Sequence, residues 1–169
     1  HVREASWCAD RIAEAVVSLI NKPETTIEDL TEIVRGPDFP TGGSITGSGI
    51  QDMYKTGKGK IIIRAKHTLE EHKGRTSIIV TEVPYMVNKA ELVKEIARLA
   101  TEKKLPDISD LRDESARGKT RIVIELKKEV DPKFTLNKLY KMTRLQTNFD
   151  AHLLALVGKQ PRTLNLKQI

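Results

Sequence analysis

The chain has 169 residues, of which 38% are hydrophobic and 31% charged, so it can build one domain or two small ones around a real core. Its formal net charge of +6 permits a polyanionic partner without establishing one. No apolar stretch reaches the roughly 20 residues of a membrane span, and the single cysteine, Cys8, excludes both a disulfide framework and a Cys-based zinc site. These features predict a cytoplasmic protein without a membrane partner. Because the chain lacks an initiator Met and a signal peptide, we expect it to be a piece of something longer.

Two helices are predicted at the start of the chain. Thr26 and Asp29 have the spacing of a capping box, and the second helix should stop at Gly36-Pro37. The first helix is predicted by apolar residues at helical spacing before Asn21-Lys22-Pro23, namely Ile12, Val16, Leu19 and Ile20. We therefore expect an N-terminal helical segment over residues 1–35 and an α+β domain over residues 36–169.

Glycine dominates residues 36–60, which contain seven of the ten glycines in the chain. Such a stretch can bring its backbone close to a ligand or another chain. A short helical turn is predicted within it at residues 50–55.

Strands and helices alternate after residue 60. Lys60 to Lys66 and Thr76 to Val83 are predicted to form a hairpin, and Arg121 to Lys127 a half-buried strand. Asn88 and Asp131 should cap helices. His152 to Val157 is predicted as a further strand, and Leu164 to Ile169 as a short helix. The fold class is α+β, a mixed or antiparallel sheet with packed helices, with a possible inserted β-α-β-β subdomain at about 76–128.

The segment Lys55-Thr56-Gly57-Lys58-Gly59-Lys60 is the strongest candidate for chemistry. No acidic residue lies between Asp52 and Glu70, and in a strand starting near Lys60 the side chains of Lys60, Arg64 and Lys66 should share one side. Lysines on a glycine-rich loop can reach phosphates, which favours contact with a nucleic-acid backbone. The alternative is a solvated loop that leads into an edge strand protected by lysine.

No catalytic or metal site is predicted. The acidic run Asp107, Asp110, Asp113 and Glu114 is interleaved with Arg112 and Arg117, which favours a salt-bridged turn over a magnesium site. The four histidines have no ligand spacing, and the tyrosines favour structural roles. We expect no independent catalytic activity.

Several motifs, taken in order, resemble the tower region of the A-type subunits of bacterial and archaeal type IIA DNA topoisomerases, the DNA gyrase and topoisomerase IV family. They are Gly36-Pro37-Asp38-Phe39-Pro40-Thr41-Gly42-Gly43, Tyr54-Lys55-Thr56-Gly57-Lys58-Gly59, Thr81-Glu82-Val83-Pro84-Tyr85, Ile108-Ser109-Asp110-Leu111-Arg112-Asp113-Glu114-Ser115, Leu145-Gln146-Thr147 and Gly158-Lys159-Gln160-Pro161-Arg162. Each motif alone is weak, but their order and spacing together are highly specific.

This resemblance implies a protein that cleaves one DNA duplex, passes another through the break and reseals it. ATP and Mg²⁺ would be bound by a partner of the B type, a second copy of the A type would complete the dimer, and the location would be cytoplasmic and nucleoid-associated. The family's nucleophile is a tyrosine that follows an arginine, and this chain has no Arg-Tyr pair. The resemblance thus implies a tower segment, inactive alone, that helps grip and bend the cleaved duplex.

Under this resemblance the expected contacts with double-stranded DNA are Lys55, Lys58, Lys60 and Arg64, with Thr41, Gly42 and Gly43 shaping the adjacent loop and Lys89 as a further candidate. The family's intercalating isoleucine has no counterpart, because its place reads Glu4-Ala5-Ser6-Trp7-Cys8. The alternative function is a structural spacer that positions the cleavage domain and the dimer gate and has no DNA affinity of its own.

Overall fold

The computed structural model describes residues 8–169, so most of the stretch that replaces the intercalating isoleucine lies outside the described residues. The chain forms two compact units. The first unit comprises the residues up to Pro40, Ile45–Ile62 and Asn148–Ile169, and the second comprises Thr41–Ser44 and Ile63–Thr147. The predicted domain boundary between residues 35 and 36 stays a prediction. Among residues 8–169, each helix is too short or too polar to span a lipid bilayer.

Helices and antiparallel strands confirm the α+β fold class. The described helices are α1 (Ala9–Asn21), α2 (Ile27–Ile33), α3 (Gly49–Thr56), α4 (Lys89–Thr101) and α5 (Pro132–Met142). The strands are β1 (Ser44–Thr46), β2 (Lys58–Arg64), β3 (Lys66–His72), β4 (Arg75–Glu82), β5 (Ile108–Asp113), β6 (Ile122–Leu126), β7 (Gln146–His152), β8 (Leu154–Val157) and β9 (Gln160–Thr163).

The first unit contains α1, α2 and α3, the hairpin β8-β9, and most of a three-stranded sheet in the order β1-β2-β7. The predicted capping box is confirmed, since the Thr26 hydroxyl accepts from the Asp29 N–H at 3.2 Å and the Asp29 carboxylate accepts from the Thr26 N–H at 3.0 Å. The predicted first helix is confirmed as α1, although Ile12, Val16 and Ile20 are exposed on it.

The second unit is built on an antiparallel sheet in the order β3-β4-β6-β5. Helices α4 and α5 contribute to its core, and their predicted caps are confirmed: the Asn88 side chain accepts from the Glu91 N–H, and the Asp131 side chain accepts from the Lys133 N–H. The core joins apolar residues of the sheet, the helices and their connections, including Ile78, Val80, Leu92, Ile96, Leu105, Ile122, Ile124, Leu126 and Leu139.

The predicted hairpin has the wrong first strand. β4 pairs with β3, which takes only Lys66 from the predicted first strand, and the turn consists of Lys73 and Gly74, both at positive φ. β2 belongs to the other sheet and ends before Ala65, whose N–H donates to the Leu145 carbonyl at 2.8 Å. Because the strand breaks there, Lys66 does not continue the face of Lys60 and Arg64. Residues 67–72, which belong to the charged stretch predicted as a turn between the two strands, form most of β3, because an edge strand tolerates charge.

Two predictions near the C-terminus are wrong. The predicted strand 152–157 is divided between β7 and β8 at Leu153. Residues 166–168 form a turn rather than the predicted helix, although Asn165 and Gln168 make the reciprocal bonds of a capping box: the Gln168 N–H donates to Asn165 Oδ1 at 2.9 Å, and the Asn165 N–H donates to Gln168 Oε1 at 3.1 Å. The Ile169 N–H also donates to the Asn165 carbonyl at 3.2 Å, which is the spacing of a first α-helical bond.

Candidate nucleic-acid interface

Glycine sets the path of the backbone through residues 49–59. Gly57 ends α3 in the left-handed region at φ 79° and turns the chain into β2. A Cβ on Gly49 would lie 1.9 Å from the Lys60 carbonyl oxygen, and one on Gly59 would lie 2.2 Å from the Gly49 carbonyl oxygen. These glycines therefore allow the start of α3 to pack directly on β2. Their close approach is to the chain's own backbone.

Lys58 and Lys60 are the exposed cations at the start of β2. They point to the side opposite buried Ile61, because side chains alternate along a strand. Among residues 8–169, no carboxylate oxygen lies within 4.0 Å of either ammonium. Both positive charges are therefore available to an external anion.

The same two lysines line a cleft of about 590 Å³ in the first unit. Its other lining residues are Asp52, Gly59, Asp150, Ala151 and His152. The His152 ring is held in place by a contact of 2.6 Å between its Nε2 and Thr163 Oγ1. The cleft therefore carries two lysines and two aspartates, and its lysine side is the part that suits a phosphate.

Lys55 lies in the last turn of α3 and is paired with Glu28 of α2, with Nζ and Oε1 3.1 Å apart. Both side chains are more than half exposed. A hydrogen bond from the backbone and the contact with Lys55 lower the pKa of Glu28. A phosphate would have to compete with this carboxylate for Lys55, although an exposed pair of this kind contributes at most about 1 kcal/mol.

Gly42 and Gly43 lie in the second unit, beside exposed Thr41 and against Glu82. The Gly43 N–H donates to Glu82 Oε2 at 2.7 Å, and a Cβ on Gly42 would lie 2.0 Å from the same oxygen. Lys66 Nζ lies 3.1 Å from the other carboxylate oxygen. The hydrogen bond from Gly43 and the pairing with Lys66 lower the pKa of Glu82. The Gly43 N–H therefore already has an internal acceptor, the Glu82 carboxylate.

Arg64 is half-buried in the second unit, where its guanidinium is already engaged. Its Nε donates to Gln146 Oε1 at 2.8 Å, and its Cζ lies 4.7 Å from the centroid of the Tyr140 ring. The Tyr140 hydroxyl is 3.3 Å from His67 Nδ1. Burial raises the pKa of Tyr140. This cluster packs and orients Arg64.

Lys89 is at the start of α4 and pairs with Asp113, with Nζ and Oδ2 3.0 Å apart. Hydrogen bonds from Ser115 and then Lys89 lower the pKa of Asp113. The rest of the acidic run is paired too: Asp107 with Lys138, Asp110 with Arg112, and Glu114 with both Arg112 and Arg121. The run is salt-bridged, as its interleaved arginines predicted. Its arginine partners are Arg112 and Arg121, whereas Arg117 was expected as the second one.

The eight predicted contact residues do not form one site. Lys58 and Lys60 share a cleft, and Lys55 lines another pocket of the first unit. The remaining five lie in the second unit, where Gly43 is next to the Arg64 backbone and Lys89 is at the start of α4. Sequence reasoning missed the three carboxylates that hold predicted contacts, namely Glu28, Glu82 and Asp113. Only Asp113 had a local signal, its place in the acidic run; Glu28 and Glu82 reach their partners through the fold.

Comparison with known proteins identifies relatives across the chain. The model of the family described as the A-type subunits of DNA gyrase/topoisomerase IV matches residues 7–169. The A protein of DNA gyrase from Halalkalibacterium halodurans is 51% identical over 158 residues, covering 93% of this chain and 19% of the relative. The A protein of DNA gyrase from Clostridium acetobutylicum is 52% identical over 160 residues, covering 94% of this chain and 19% of the relative. A probable chloroplastic/mitochondrial A protein of DNA gyrase from Oryza sativa subsp. japonica is 45% identical over 162 residues, covering 94% of this chain and 17% of the relative. The chain spans about a fifth of the length of these curated relatives.

Proposed function

Since the chain belongs to the family of DNA gyrase and topoisomerase IV A-type subunits, we propose that it is the tower segment of a type IIA DNA topoisomerase and holds the backbone of duplex DNA. In this proposal it grips and bends the duplex that the parent enzyme cleaves. The parent would act as a dimer with B-type partners that carry ATP and Mg²⁺, in the cytoplasm at the nucleoid.

The observation that carries the proposal is the pair Lys58 and Lys60. Both are exposed on one face of β2, line one cleft and lack a carboxylate partner among the described residues. Lysine is a flexible point charge that neutralises phosphates without reading bases. Bending a site of twenty to thirty base pairs costs about 1–6 kcal/mol, so contacts that hold its flanks are needed.

Lys55 would add to this contact only by leaving Glu28, and Lys89 would reach a phosphate from the second unit only by leaving Asp113. Arg64, Thr41, Gly42 and Gly43 would support it by shaping the second unit, because the Arg64 guanidinium and the Gly43 amide have internal partners.

The second candidate is a structural spacer that positions the cleavage domain and the dimer gate. It is favoured by the internal pairing of Lys55 and Lys89 and by the charge balance of the first unit, whose residues include ten basic and ten acidic side chains. A spacer would bind no duplex by itself.

Fluorescence anisotropy of a labelled duplex of about 20 base pairs separates the two functions. The 169-residue chain should bind weakly and without sequence preference, and log Kobs should fall linearly with log salt. The double variant Lys58→Gln/Lys60→Gln should bind less tightly, and its salt slope should shrink by about 2, since each phosphate contact contributes about 0.9.

Lys22→Gln/Lys159→Gln is the matched control, because it removes two exposed charges of the first unit that lie outside the cleft. Circular dichroism would verify that each variant folds. If Lys58→Gln/Lys60→Gln keeps the wild-type Kd and slope, these lysines do not hold DNA. If the wild-type chain binds no duplex even at about 50 mM salt, the spacer function stands instead.

A further inference from the structure

One end of the sheet in the second unit collects lysines that the sequence reasoning did not single out. The strand register defines this end: the β3-β4 turn at Lys73 and Gly74 is at the same end of the sheet as Leu126, the last residue of β6, which pairs with Ile108, the first residue of β5. We name it the basic end. Its exposed lysines are Lys73 in the turn, Lys103 and Lys104 before β5, Lys127 and Lys128 after β6, and Lys133 in the first turn of α5.

Hydrogen bonds tie these segments together. The Lys127 N–H donates to the Asp107 carbonyl at 2.9 Å, which joins the end of β6 to the connection between α4 and β5. The Lys138 ammonium donates to Asp107 Oδ2 at 3.1 Å, which joins α5 to the same connection. These bonds bring together the segments before β5 and after β6 and helix α5, and the strand register adds the β3-β4 turn at the same end of the sheet.

The charge of this surface is poorly compensated. Lys104 Nζ lies 2.8 Å from Glu102 Oε2. The other five lysines have no carboxylate oxygen within 4.0 Å of their ammonium groups among the described residues. The nearby carboxylates not in such pairs are Glu71, Glu129 and the α5 cap Asp131. At the other end of the sheet Lys66, Lys89 and Arg121 are paired, while Arg117 and Lys119 in the β5-β6 connection have no carboxylate within 4.0 Å among the described residues. The second unit has 19 basic and 13 acidic residues and so holds the entire net charge of +6.

The spacing of the strands suits a duplex. The sheet has four strands, and neighbouring strands are about 4.8 Å apart, so the outer strands β3 and β5 are about 14 Å apart. The major groove of B-DNA is about 12 Å wide, so flexible lysines at the two edges of the basic end can reach the phosphates on both sides of one groove. An aromatic surface lies beside them, since Phe134 is 58% exposed with Lys138 Nζ 4.3 Å from its ring centroid.

From this arrangement we propose that the basic end is a second docking surface for the phosphate backbone of duplex DNA, separate from Lys58 and Lys60. The choice of DNA as the polyanion rests on the proposed function. The surface contacts phosphates without reading sequence, because lysine supplies charge and no bidentate fork for a base edge.

The test is a salt titration of duplex binding by the triple variant Lys103→Gln/Lys127→Gln/Lys128→Gln. Its salt slope should fall by close to 3, at about 0.9 for each lost contact, with weaker binding at every salt concentration. The matched control is Arg117→Gln/Lys119→Gln/Lys141→Gln, which removes the same charge from exposed positions of the second unit outside the basic end. Circular dichroism and thermal unfolding would show that both variants fold.

The variant Lys58→Gln/Lys60→Gln, titrated alongside, separates this inference from the proposed function. If the basic-end variant behaves like its control while Lys58→Gln/Lys60→Gln loses affinity, the basic end is not a docking surface and the first site stands. The reverse result supports the basic end and removes the first site. If the wild-type chain binds no duplex, both proposals fall, and if poly-glutamate binds the basic end as tightly as the duplex does, the assignment to DNA is overturned.

Discussion

The carboxylate of Glu82 closes the loop formed by Gly42 and Gly43. Its Oε2 accepts the Gly43 N–H at 2.7 Å while its Oε1 lies 3.1 Å from Lys66 Nζ. Gly42, at φ 77°, leaves the room that this carboxylate needs, since a Cβ there would lie 2.0 Å from Oε2. The glycine pair that looked suited to an external anion thus already holds an internal one.

Removing the charge of Glu82 should destabilise the chain in a pH-dependent way. Because the folded state lowers the pKa of Glu82, its contribution is complete above the ordinary value near 4.5 and is lost as the pH falls through the folded value. We expect Glu82→Gln to lower the free energy of unfolding by about 1 kcal/mol at pH 7. This value is smaller than the contribution of a fully buried hydrogen bond to a charged group, because solvent screens the partly exposed carboxylate. Urea unfolding at several pH values measures the free energy of unfolding of both proteins, and the difference between variant and wild type should shrink below pH 4.5. The exposed Glu71→Gln, at the other end of the β3-β4 pair, is the control, and an equal loss there would refute the role given to Glu82.

Gly49 should not tolerate even alanine. Its φ is not positive, so the obstacle is steric: the added Cβ would lie 1.9 Å from the backbone oxygen of Lys60, which cannot rotate away. We expect Gly49→Ala to cost more than about 3 kcal/mol, in the range of severe overpacking. Gly74→Ala is the control, because its Cβ would meet nothing within 4 Å and would cost only about 1 kcal/mol for the left-handed backbone. Similar thermal unfolding of the two variants would contradict this packing.

Ile79 should matter as much as a core residue, although it faces away from the main core. Ile78 and Val80 belong to the core cluster, so the alternation of the strand puts Ile79 on the other face, where it lies opposite Val123. It is nevertheless 1% exposed, and Val123, at 3%, has Arg112 as its neighbour on β5. We expect Ile79→Ala to cost about 2–4 kcal/mol in chemical denaturation. Leu69→Ala, at a side chain 47% exposed, should cost under about 1 kcal/mol, and an equally mild effect at Ile79 would show that this face is not a packed surface.

The sequence predicted best the elements whose signals are local. The caps at Thr26, Asn88 and Asp131 involve partners within three residues, so their patterns identified the starts of α2, α4 and α5. The short helix in the glycine-rich stretch was also predicted, and it is α3.

Sequence patterns did not predict features that depend on distant partners. The switch from one sheet to the other at Ala65 depends on Leu145, which lies 80 residues away. The engagement of Arg64 by Tyr140 and Gln146 and of the Gly43 amide by Glu82 arises in the same way. A pattern of lysines and glycines gives the charge of a segment, but the tertiary fold decides which of those charges remain free.

Arg64 should affect stability more than DNA binding. Lysine cannot reproduce both the hydrogen bond of Nε to Gln146 and the stacking of the planar guanidinium on Tyr140. We expect Arg64→Lys to lower the free energy of unfolding by about 1–2 kcal/mol. Because it keeps the charge, its duplex Kd and salt slope should stay near wild type, unlike those of Lys58→Gln/Lys60→Gln. A loss of affinity in Arg64→Lys without a loss of stability would place Arg64 in the DNA contact instead.

Releasing Lys55 should strengthen DNA binding if the first unit holds a duplex. Glu28→Gln removes the carboxylate 3.1 Å from Lys55 Nζ, which frees the ammonium for a phosphate. The salt slope should then rise by up to about 0.9, the value of one added contact.

Glu32→Gln is the matched control for the release of Lys55. Glu32 is on the same helix and lines the same hollow as Glu28 and Lys55, and no cation lies within 4.0 Å of its carboxylate among the described residues. Both variants remove one negative charge at a similar place, so the general electrostatic effect on Kd cancels between them, and only the release of Lys55 should change the salt slope. Equal slopes for the two variants would mean that Lys55 stays away from DNA even when it is unpaired, which would leave Lys58 and Lys60 as the contact of the first unit.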